Sequence, residues 1–376
     1  MSSPAQSGAG RSGWGQPPWK IDFQSPPRLV PEQVDVAIVG GGFTGLAAAA
    51  WLRRIDPAKT VAIFEAGSIG SGASGRTGGM VLAETAAGDL PGLGDVLAGF
   101  SSALRALAID YDLALPGAWE IGRSNPLPNS PIVWQDSGDL RATSELPGGT
   151  IDPGKLVSGL AHAADRLGVL IVENAPVDDV RFEGSLRLRV REREVRASHV
   201  ILATNAFALE MTGLAKRAEP KLTLVVATEP LEPAQLEVLG LASGRPFYTI
   251  DWPYLWGRIL YTNALIFGGG LVDVRSWREL ETQDISTGKS AELIVKIQRR
   301  VQGLHPALRS IGFSHCWGGP VLFGHNWEGK PVFELHRGLP NTFVLGAYSG
   351  HGVALSVYLG CWAAEAILGR KALPNW

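Results

Sequence analysis

The clearest hydrophobic pattern along the chain is a strand, a helix and a second strand close to its beginning. Residues 34–39 are a short β-branched run, which is typical of a strand buried in a parallel sheet. Residues 46–54 are rich in alanine and predict a helix that ends before Pro57. Residues 60–64 predict a second strand, which ends at Glu65. This order predicts the first βαβ unit of an α/β domain.

The rest of the chain alternates between further α/β segments and regions of strands and turns. A helix is predicted over residues 151–168, and a strand follows it over residues 169–173. Further strands are predicted at residues 119–132, 221–228, 246–250 and 265–267. Residues 290–304 predict a helix, because its apolar side chains recur at helical spacing. An antiparallel sheet backed by this helix would form a second domain over the first.

Two segments at the ends of the chain need separate interpretation. Residues 1–33 are rich in Ser, Gly and Pro and lack the apolar core of a signal peptide. They predict an extended arm, held on the body by Trp14, Trp19 and Phe23. Residues 353–369 are apolar but too short for a membrane span, so they predict a buried helix.

The composition is that of a globular enzyme with two domains. The 376 residues are 45% hydrophobic and 19% charged, with a net charge of −2. This charge gives no reason to expect recruitment of nucleic acid or of an acidic membrane surface. Cys316 and Cys361 are too few for a disulfide framework and lack metal-ligand spacing. We therefore expect a reducing, cytoplasmic compartment and no metal.

Glycines at the end of the first predicted strand form the motif G-x-G-x-x-G, at Gly40, Gly42 and Gly45. The first permits a tight turn, the second the approach of a pyrophosphate, and the third close packing of helix on strand. The helix N-terminus attracts the phosphates, and Glu65 is placed to accept the ribose hydroxyls. The motif predicts an ADP-containing cofactor; the alternative is an ordinary tight turn beside a solvated Glu65.

A second glycine-rich loop, over residues 70–80, favours FAD over NAD, because the longer FAD needs a second stretch of close backbone approach. Its sequence, Gly72-Ala73-Ser74-Gly75-Arg76-x-Gly78-Gly79, resembles the D-amino-acid oxidase-like superfamily of flavoproteins. Within it the chain is most similar to the group of γ-glutamylputrescine oxidase, glycine oxidase and sarcosine oxidase. Blocks at residues 151–177, 200–206 and 346–354 agree, so the resemblance covers nearly the whole chain beyond Val34.

The resemblance implies two domains. One is an α/β, Rossmann-like FAD-binding domain of the glutathione reductase type, and the other is an antiparallel β-sheet substrate domain of α+β class. The FAD-binding domain is expected to be discontinuous, over residues 34–88, 149–213 and 318–376. The substrate domain is expected to take residues 89–148 and 214–317.

The implied cofactor is FAD, bound without a covalent link because the family's tethering cysteine would fall nearer Gly319 than Cys316. The residues expected to bind it are Gly40, Gly42, Phe43, Thr44, Gly45, Glu65, Ala66, Gly72, Ala73, Ser74, Arg76, Gly78, Gly79, Met80, Val177, Ala203, Thr204, Asn205, Gly318, Gly350, His351, Gly352, Val353 and Ala354.

The expected chemistry is oxidation of a C–N bond by hydride transfer to flavin N5, which gives an imine that water hydrolyses. The electrons would then pass to O2 or to a carrier. The start of the C-terminal helix would stabilise negative charge on the reduced flavin. His351, Tyr348 and Asp251 are the candidate catalytic residues. Alternatively, His351 only caps the helix and Asp251 only ends a strand.

Two carboxylate anchors that are usual in this family are absent. No arginine follows the pair Trp317-Gly318, and Val353 or Ala354 stands where sarcosine oxidases carry a lysine. A small amine without an adjacent carboxylate is therefore the favoured substrate. The expected pocket is aromatic and consists of Trp252, Trp256, Trp317 and Phe323, with Trp327 as a further candidate.

Two other functions stay open. The first is an amino-acid oxidase or dehydrogenase of the glycine oxidase or D-amino-acid dehydrogenase type, in which Arg76, Arg258 or Arg275 would bind the carboxylate. The second is a flavin-binding protein without turnover, since cofactor motifs report binding and not catalysis.

Overall fold

The computed structural model describes residues 12–109, 112–325 and 328–376. The helices are α1 (Phe43–Ile55), α2 (Val96–Ala106), α3 (Pro153–Arg166), α4 (Pro233–Val238), α5 (Trp277–Glu281), α6 (Gly288–Leu304) and α7 (Gly352–Ile367). The strands are β1 (Gln33–Val39), β2 (Val61–Phe64), β3 (Met80–Leu82), β4 (Ala118–Gly122), β5 (Val133–Asp136), β6 (Gly138–Leu146), β7 (Gly148–Thr150), β8 (Leu170–Val172), β9 (Val177–Phe182), β10 (Leu186–Val190), β11 (Arg193–Leu202), β12 (Ala218–Pro230), β13 (Phe247–Thr249), β14 (Leu255–Ile259), β15 (Ala264–Asp273), β16 (Phe313–Gly324), β17 (Val332–Leu335) and β18 (Thr342–Gly346).

The first large sheet is the predicted α/β sheet. Its strand order is β17-β18-β11-β1-β2-β8, and the hairpin β9–β10 continues from β11. Five of its strands run parallel, and β17 is antiparallel to β18. Helices α1, α3 and α7 pack together and share one core with the sheet. Because both faces are covered, β1 and β2 are almost entirely buried, which explains their continuous apolar sequences.

The second large sheet has the order β16-β12-β15-β14-β13-β4-β6-β5. Its pairs are antiparallel except for β13 and β4, which run parallel. Helix α6 packs against β12, β15 and β5, as the expected backing helix. The mixed α/β architecture with an antiparallel second sheet confirms the predicted fold class.

Two details differ from the sequence-based expectations. The strand predicted over residues 119–132 ends at Gly122, because Pro126, Pro128 and Pro131 cannot donate to a sheet ladder. The expected domain boundary at Gly318 falls in the middle of β16, which continues in the second sheet as far as Gly324.

The described part of the N-terminal arm packs against both parts of the molecule through its aromatic residues. Trp14 is fully buried, and its Nε1 donates to the Leu280 carbonyl oxygen at 3.1 Å. Trp19 Nε1 donates to the Gly75 carbonyl oxygen at 2.8 Å. The ring of Phe23 meets His162 edge-on, with 5.1 Å between ring centroids. Residues 1–11 lie outside the described residues.

Membrane-spanning helices and metal-binding clusters are both absent from the described residues. None of the helices there has both the length and the apolar character that crossing a bilayer requires. No group of three or more His, Cys, Asp or Glu side chains in that part of the chain is arranged to hold a metal ion.

Candidate active site

The turn between β1 and α1 is built from glycines that leave no space for side chains. Gly40 has a φ of +110°, and a Cβ there would lie 2.6 Å from the Ala203 carbonyl oxygen. A Cβ on Gly45 would lie 2.1 Å from the Gly40 carbonyl oxygen and 3.1 Å from Ile38 Cγ2. A Cβ on Gly42 would meet only the Ser74 side chain, at 2.8 Å. The turn therefore brings backbone close to whatever lies in front of α1.

The Glu65 carboxylate lies at the end of β2, beside this turn. Its Oε2 accepts a hydrogen bond from the Gly41 amide at 2.7 Å, and its Oε1 accepts one from the Gly67 amide at 2.9 Å. These two amides orient the carboxylate at the carboxyl edge of the parallel sheet, where ligands of such folds bind.

The second glycine loop folds directly against the first. Ser74 Oγ accepts a hydrogen bond from the Phe43 amide at 2.9 Å, in the first turn of α1. The Arg76 side chain is buried and donates to the carbonyl oxygens of Gly15, at 2.9 Å, and Gly318, at 3.2 Å. Arg76 thus joins the loop, the arm and β16.

The beginning of α7 completes the site with polar groups. The hydroxyls of Tyr348 and Thr44 share a hydrogen bond of 2.7 Å, and burial raises the pKa of Tyr348. His351 is the N-cap residue of α7, and its Nδ1 donates to the Ser349 carbonyl oxygen at 3.3 Å. Burial lowers the pKa of His351 below its ordinary value, so the imidazole is neutral at physiological pH.

These elements enclose one cavity of about 1300 Å³. Most of the residues expected to bind the cofactor line it: Gly40, Gly42, Phe43, Thr44, Glu65, Ala66, Gly72, Ala73, Ser74, Arg76, Gly78, Met80, Val177, Ala203, Thr204, Asn205, Gly350, His351, Gly352 and Val353. Gly45, Gly79, Gly318 and Ala354 are not among the lining residues. The volume exceeds that of ordinary small-molecule pockets, about 300–1000 Å³, and leaves room for a dinucleotide together with a substrate.

Three features of the cavity fit FAD. The N-terminus of α1, where the helix dipole favours an anion, and the Glu65 carboxylate both line it. Gly42 also lines the cavity, and its lack of a side chain leaves the space in front of the helix free for a ligand. The Ser356 hydroxyl of α7 is also on the wall, and it is buried without a hydrogen-bond partner among the described residues. Such an orphaned group is expected where a polar ligand binds.

The other end of the cavity is aromatic. Trp252, Trp256 and Phe323 line it, as expected, together with Tyr254 of the same aromatic segment. The Trp256 ring covers Gly78, where a Cβ would lie 2.1 Å from it.

Two residues expected on the substrate side, Trp317 and Asp251, also lie away from the cavity, and Trp327 cannot be placed. Trp317 is fully buried, and its Nε1 donates to the Arg76 carbonyl oxygen at 2.9 Å, so it supports the second glycine loop from behind. Asp251 does not line the cavity, and its Oδ2 accepts a hydrogen bond from the Arg123 amide at 2.7 Å. Trp327 lies outside the described residues.

The arginines considered as carboxylate anchors are placed elsewhere or occupied. Arg258 is buried behind the glycine loop, where its Nε donates to the Gly78 carbonyl oxygen. Burial lowers the pKa of Arg258 to about 10, so it stays charged at neutral pH. Arg275 is exposed and does not line the cavity. Arg76 lines the cavity, but its guanidinium donates to the carbonyl oxygens described above.

Four other cations line the cavity, and three of them form ion pairs with carboxylates. Lys221 lies 2.6 Å from Asp273, Arg278 lies 3.3 Å from Glu210, and Arg300 lies 2.7 Å from Asp136. The fourth, Lys296, forms no ion pair with another described residue. Sequence analysis missed Lys296 and Arg300, although they lie at helical spacing with the apolar residues of α6 that also line the cavity, Leu293 and Ile297. The two cations could have been identified because they interrupt the apolar stripe of a predicted helix.

Comparisons with known proteins agree with this geometry. The DAO family model, described as FAD dependent oxidoreductase, matches residues 35–126 and 127–366. The chain is 27% identical to a probable oxidoreductase OrdL of Haemophilus influenzae, over 93% of this chain and 86% of the relative. It is also 27% identical to the gamma-glutamylputrescine oxidoreductase of Escherichia coli, over 89% of this chain and 84% of the relative.

Solved structures share the fold at lower identity. The glycine oxidase of Geobacillus kaustophilus superimposes with a TM-score of 0.71 at 20% identity, covering 92% of this chain and 97% of that one. The L-proline dehydrogenase of P. horikoshii gives a TM-score of 0.72 at 17% identity, covering 92% of this chain and 96% of that one.

Proposed function

The chain belongs to the DAO family of FAD-dependent oxidoreductases, and from this premise we propose that it oxidises the C–N bond of a small amine that carries no α-carboxylate. The charge distribution of the cavity carries the proposal. Arg76 donates to backbone carbonyl oxygens, and Lys221, Arg278 and Arg300 are each paired with a carboxylate. Except at the exposed Lys296, a substrate carboxylate would have to displace one of these partners, and an unpaired buried carboxylate costs several kcal/mol.

Bound FAD supplies the redox chemistry, by accepting a hydride equivalent from the carbon beside the substrate nitrogen, after which water hydrolyses the imine. The aromatic side chains of Trp252, Trp256 and Phe323 exclude water and hold the apolar part of the amine. Helix α7 presents the positive end of its dipole to the cavity, which favours negative charge there. His351 contributes no full charge, because its imidazole is neutral.

The similarity to the gamma-glutamylputrescine oxidoreductase of E. coli, whose name specifies an amine substrate, supports this choice. A second candidate function, oxidation of an amino acid, is favoured by one observation. Lys296 lines the cavity and forms no ion pair within the described part of the chain, so its ammonium is the group that would meet a carboxylate.

The test compares anaerobic reduction of the bound flavin by matched pairs, each an amino acid and the amine that its decarboxylation gives. We expect the amine of each pair to reduce the flavin faster, and faster still as rising pH converts it to the neutral form. The Lys296→Met variant is the matched control and should leave the order unchanged. If the amino acids reduce the flavin faster, and this advantage is lost in Lys296→Met, the substrate is an amino acid whose carboxylate binds Lys296.

A further inference from the structure

A short loop, residues 251–254, forms part of the wall at the aromatic end of the cavity, and we call it the outer loop. Trp252, Pro253 and Tyr254 of this loop line the cavity. The Trp252 side chain is also 75% exposed, so the outer loop lies between the cavity and solvent. A molecule that enters at this end has to pass beside it.

Two arginines hold the backbone of the outer loop. Arg123 Nη1 donates to the Trp252 carbonyl oxygen at 3.4 Å. Arg300 donates to the next two carbonyl oxygens, from Nη2 to Pro253 at 2.7 Å and from Nη1 to Tyr254 at 3.1 Å. Three consecutive carbonyl oxygens of the loop are therefore bound by guanidinium groups from outside the loop.

Asp136 joins the two arginines. Its Oδ2 lies 3.1 Å from Arg123 Nη2 and 2.7 Å from Arg300 Nη2. The Asp136 side chain is only 12% exposed, so solvent screens these ion pairs less than those on an open surface. Asp251, in the loop itself, lies 3.6 Å from Arg123 Nη1 and adds a fourth charge.

The three side chains of this clasp, Arg123, Asp136 and Arg300, come from different elements. Arg123 follows β4, Asp136 ends β5, and Arg300 is on α6. No single segment therefore positions the loop. Without the Asp136 carboxylate, two guanidinium groups would face each other without their shared counter-ion and would repel.

We propose that the Arg123–Asp136–Arg300 clasp keeps the outer loop closed over the aromatic end of the cavity and so limits the size of molecules that reach the flavin. Asp136 and Asp251 are then positioning residues that act through the loop. The proposal requires the flavin to be in the cavity but does not depend on an amine being the substrate.

The test uses the FAD-loaded protein and needs no substrate. The flavin is reduced with dithionite, and its reoxidation is timed with a bulky dye, 2,6-dichlorophenolindophenol, and separately with O2, which is small. In Asp136→Ala the ratio of the dye rate to the O2 rate should rise by roughly tenfold, because the loop opens locally while the fold is kept. Hydrogen exchange in peptides covering residues 248–256 should accelerate in the same variant.

Two further variants keep the proposal falsifiable if Asp136→Ala folds poorly. Arg300→Lys keeps the charge but cannot reach two carbonyl oxygens and Asp136 together, so it should raise the ratio by a smaller factor. Asp139→Asn is the matched control, because Asp139 is an exposed acid on the same hairpin and pairs with Arg141 instead. An unchanged ratio in folded, FAD-loaded Asp136→Ala or Arg300→Lys would overturn the proposal, as would an equal rise in Asp139→Asn.

Discussion

At the scale of single residues, Gly42 and Gly45 serve different purposes although they belong to one motif. A Cβ on Gly45 would collide with a backbone atom, the Gly40 carbonyl oxygen, at 2.1 Å. A Cβ on Gly42 would meet only Ser74 Oγ, at 2.8 Å, and a serine side chain can rotate away. Gly45 is therefore required by packing of the protein itself, and Gly42 by the ligand.

Alanine substitutions should separate these two roles. Gly45→Ala should lower the free energy of unfolding of the apoprotein by about 1–3 kcal/mol, the usual cost of overpacking. Gly42→Ala should lower that free energy by about 0.5–1.5 kcal/mol at most, because only the hydrogen bond from the Phe43 amide to Ser74 Oγ is disturbed, and it should weaken FAD binding. Urea unfolding and titration of the apoprotein with FAD measure the two effects. Normal FAD affinity in Gly42→Ala would argue against the assignment of the phosphate site.

A second prediction at this scale concerns His351. Because burial lowers its pKa in the folded state, the unfolded chain binds the proton first as the pH falls through about 6.5. The free energy of unfolding should therefore decrease below that pH and level off only below the folded-state pKa. Urea unfolding of the apoprotein at several pH values should show a shallower decrease for His351→Gln. Identical slopes would mean that the imidazole is not buried.

At the scale of elements, the described part of the arm is an integral part of the structure. Trp14 belongs to a core that contains residues of both large sheets, stacks on Phe207 with centroids 6.4 Å apart, and has the Arg76 guanidinium over its ring. The arm therefore connects the second glycine loop to the substrate side. The composition of the arm and its aromatic residues predict that it is extended and held on the body. The partners of Trp14 could not be predicted, because they are distant in sequence.

Trp14→Ala should be strongly destabilising. Loss of a fully buried tryptophan costs about 3–5 kcal/mol, and the Leu280 carbonyl oxygen would lose its donor. The midpoint of thermal unfolding of the FAD-loaded protein should fall well below that of wild type. Trp252→Ala, at a position that is 75% exposed, is the control and should change the midpoint little. Equal midpoints for both variants would contradict the buried position of the arm.

Several elements that have a strong periodic pattern in their own sequence were predicted correctly. The βαβ unit around Gly40 and the stripe of α6 were predicted correctly, because burial on a sheet or helix face imposes a short period on the sequence. Helix α2 was missed although Asp95 caps it and its apolar residues repeat at helical spacing. The hairpin β9–β10 was also not predicted, although β10 alternates apolar residues with arginines.

At the scale of the whole molecule, the glycine-rich side of the cavity could be predicted from the sequence more completely than the aromatic side, of which Trp252, Trp256 and Phe323 were predicted. The glycine loops and the start of α7 are each continuous in sequence, so their motifs predict their place. The aromatic end is assembled from the outer loop, α6 and β16, which meet only in the folded chain. For this reason Asp251 was assigned to catalysis, whereas its carboxylate contacts Arg123 away from the cavity.

The cysteines lead to a prediction about the whole holoprotein. Neither Cys316 nor Cys361 lines the cavity, Cys316 lies near Gln298, and burial raises the pKa of both thiols. We expect the flavin to be held without a covalent bond. Acid precipitation should leave all of the FAD in the supernatant, and flavin fluorescence in the washed pellet would show a covalent link.

Oxidation of an amine is tested most directly by anaerobic mixing of the purified, FAD-loaded protein with a panel of amines and the corresponding amino acids. The reaction is followed through the visible absorbance of the flavin. At least one amine without an α-carboxylate should bleach the flavin. If dithionite bleaches the flavin but none of these amines does, the protein does not oxidise them, and the proposed function is contradicted.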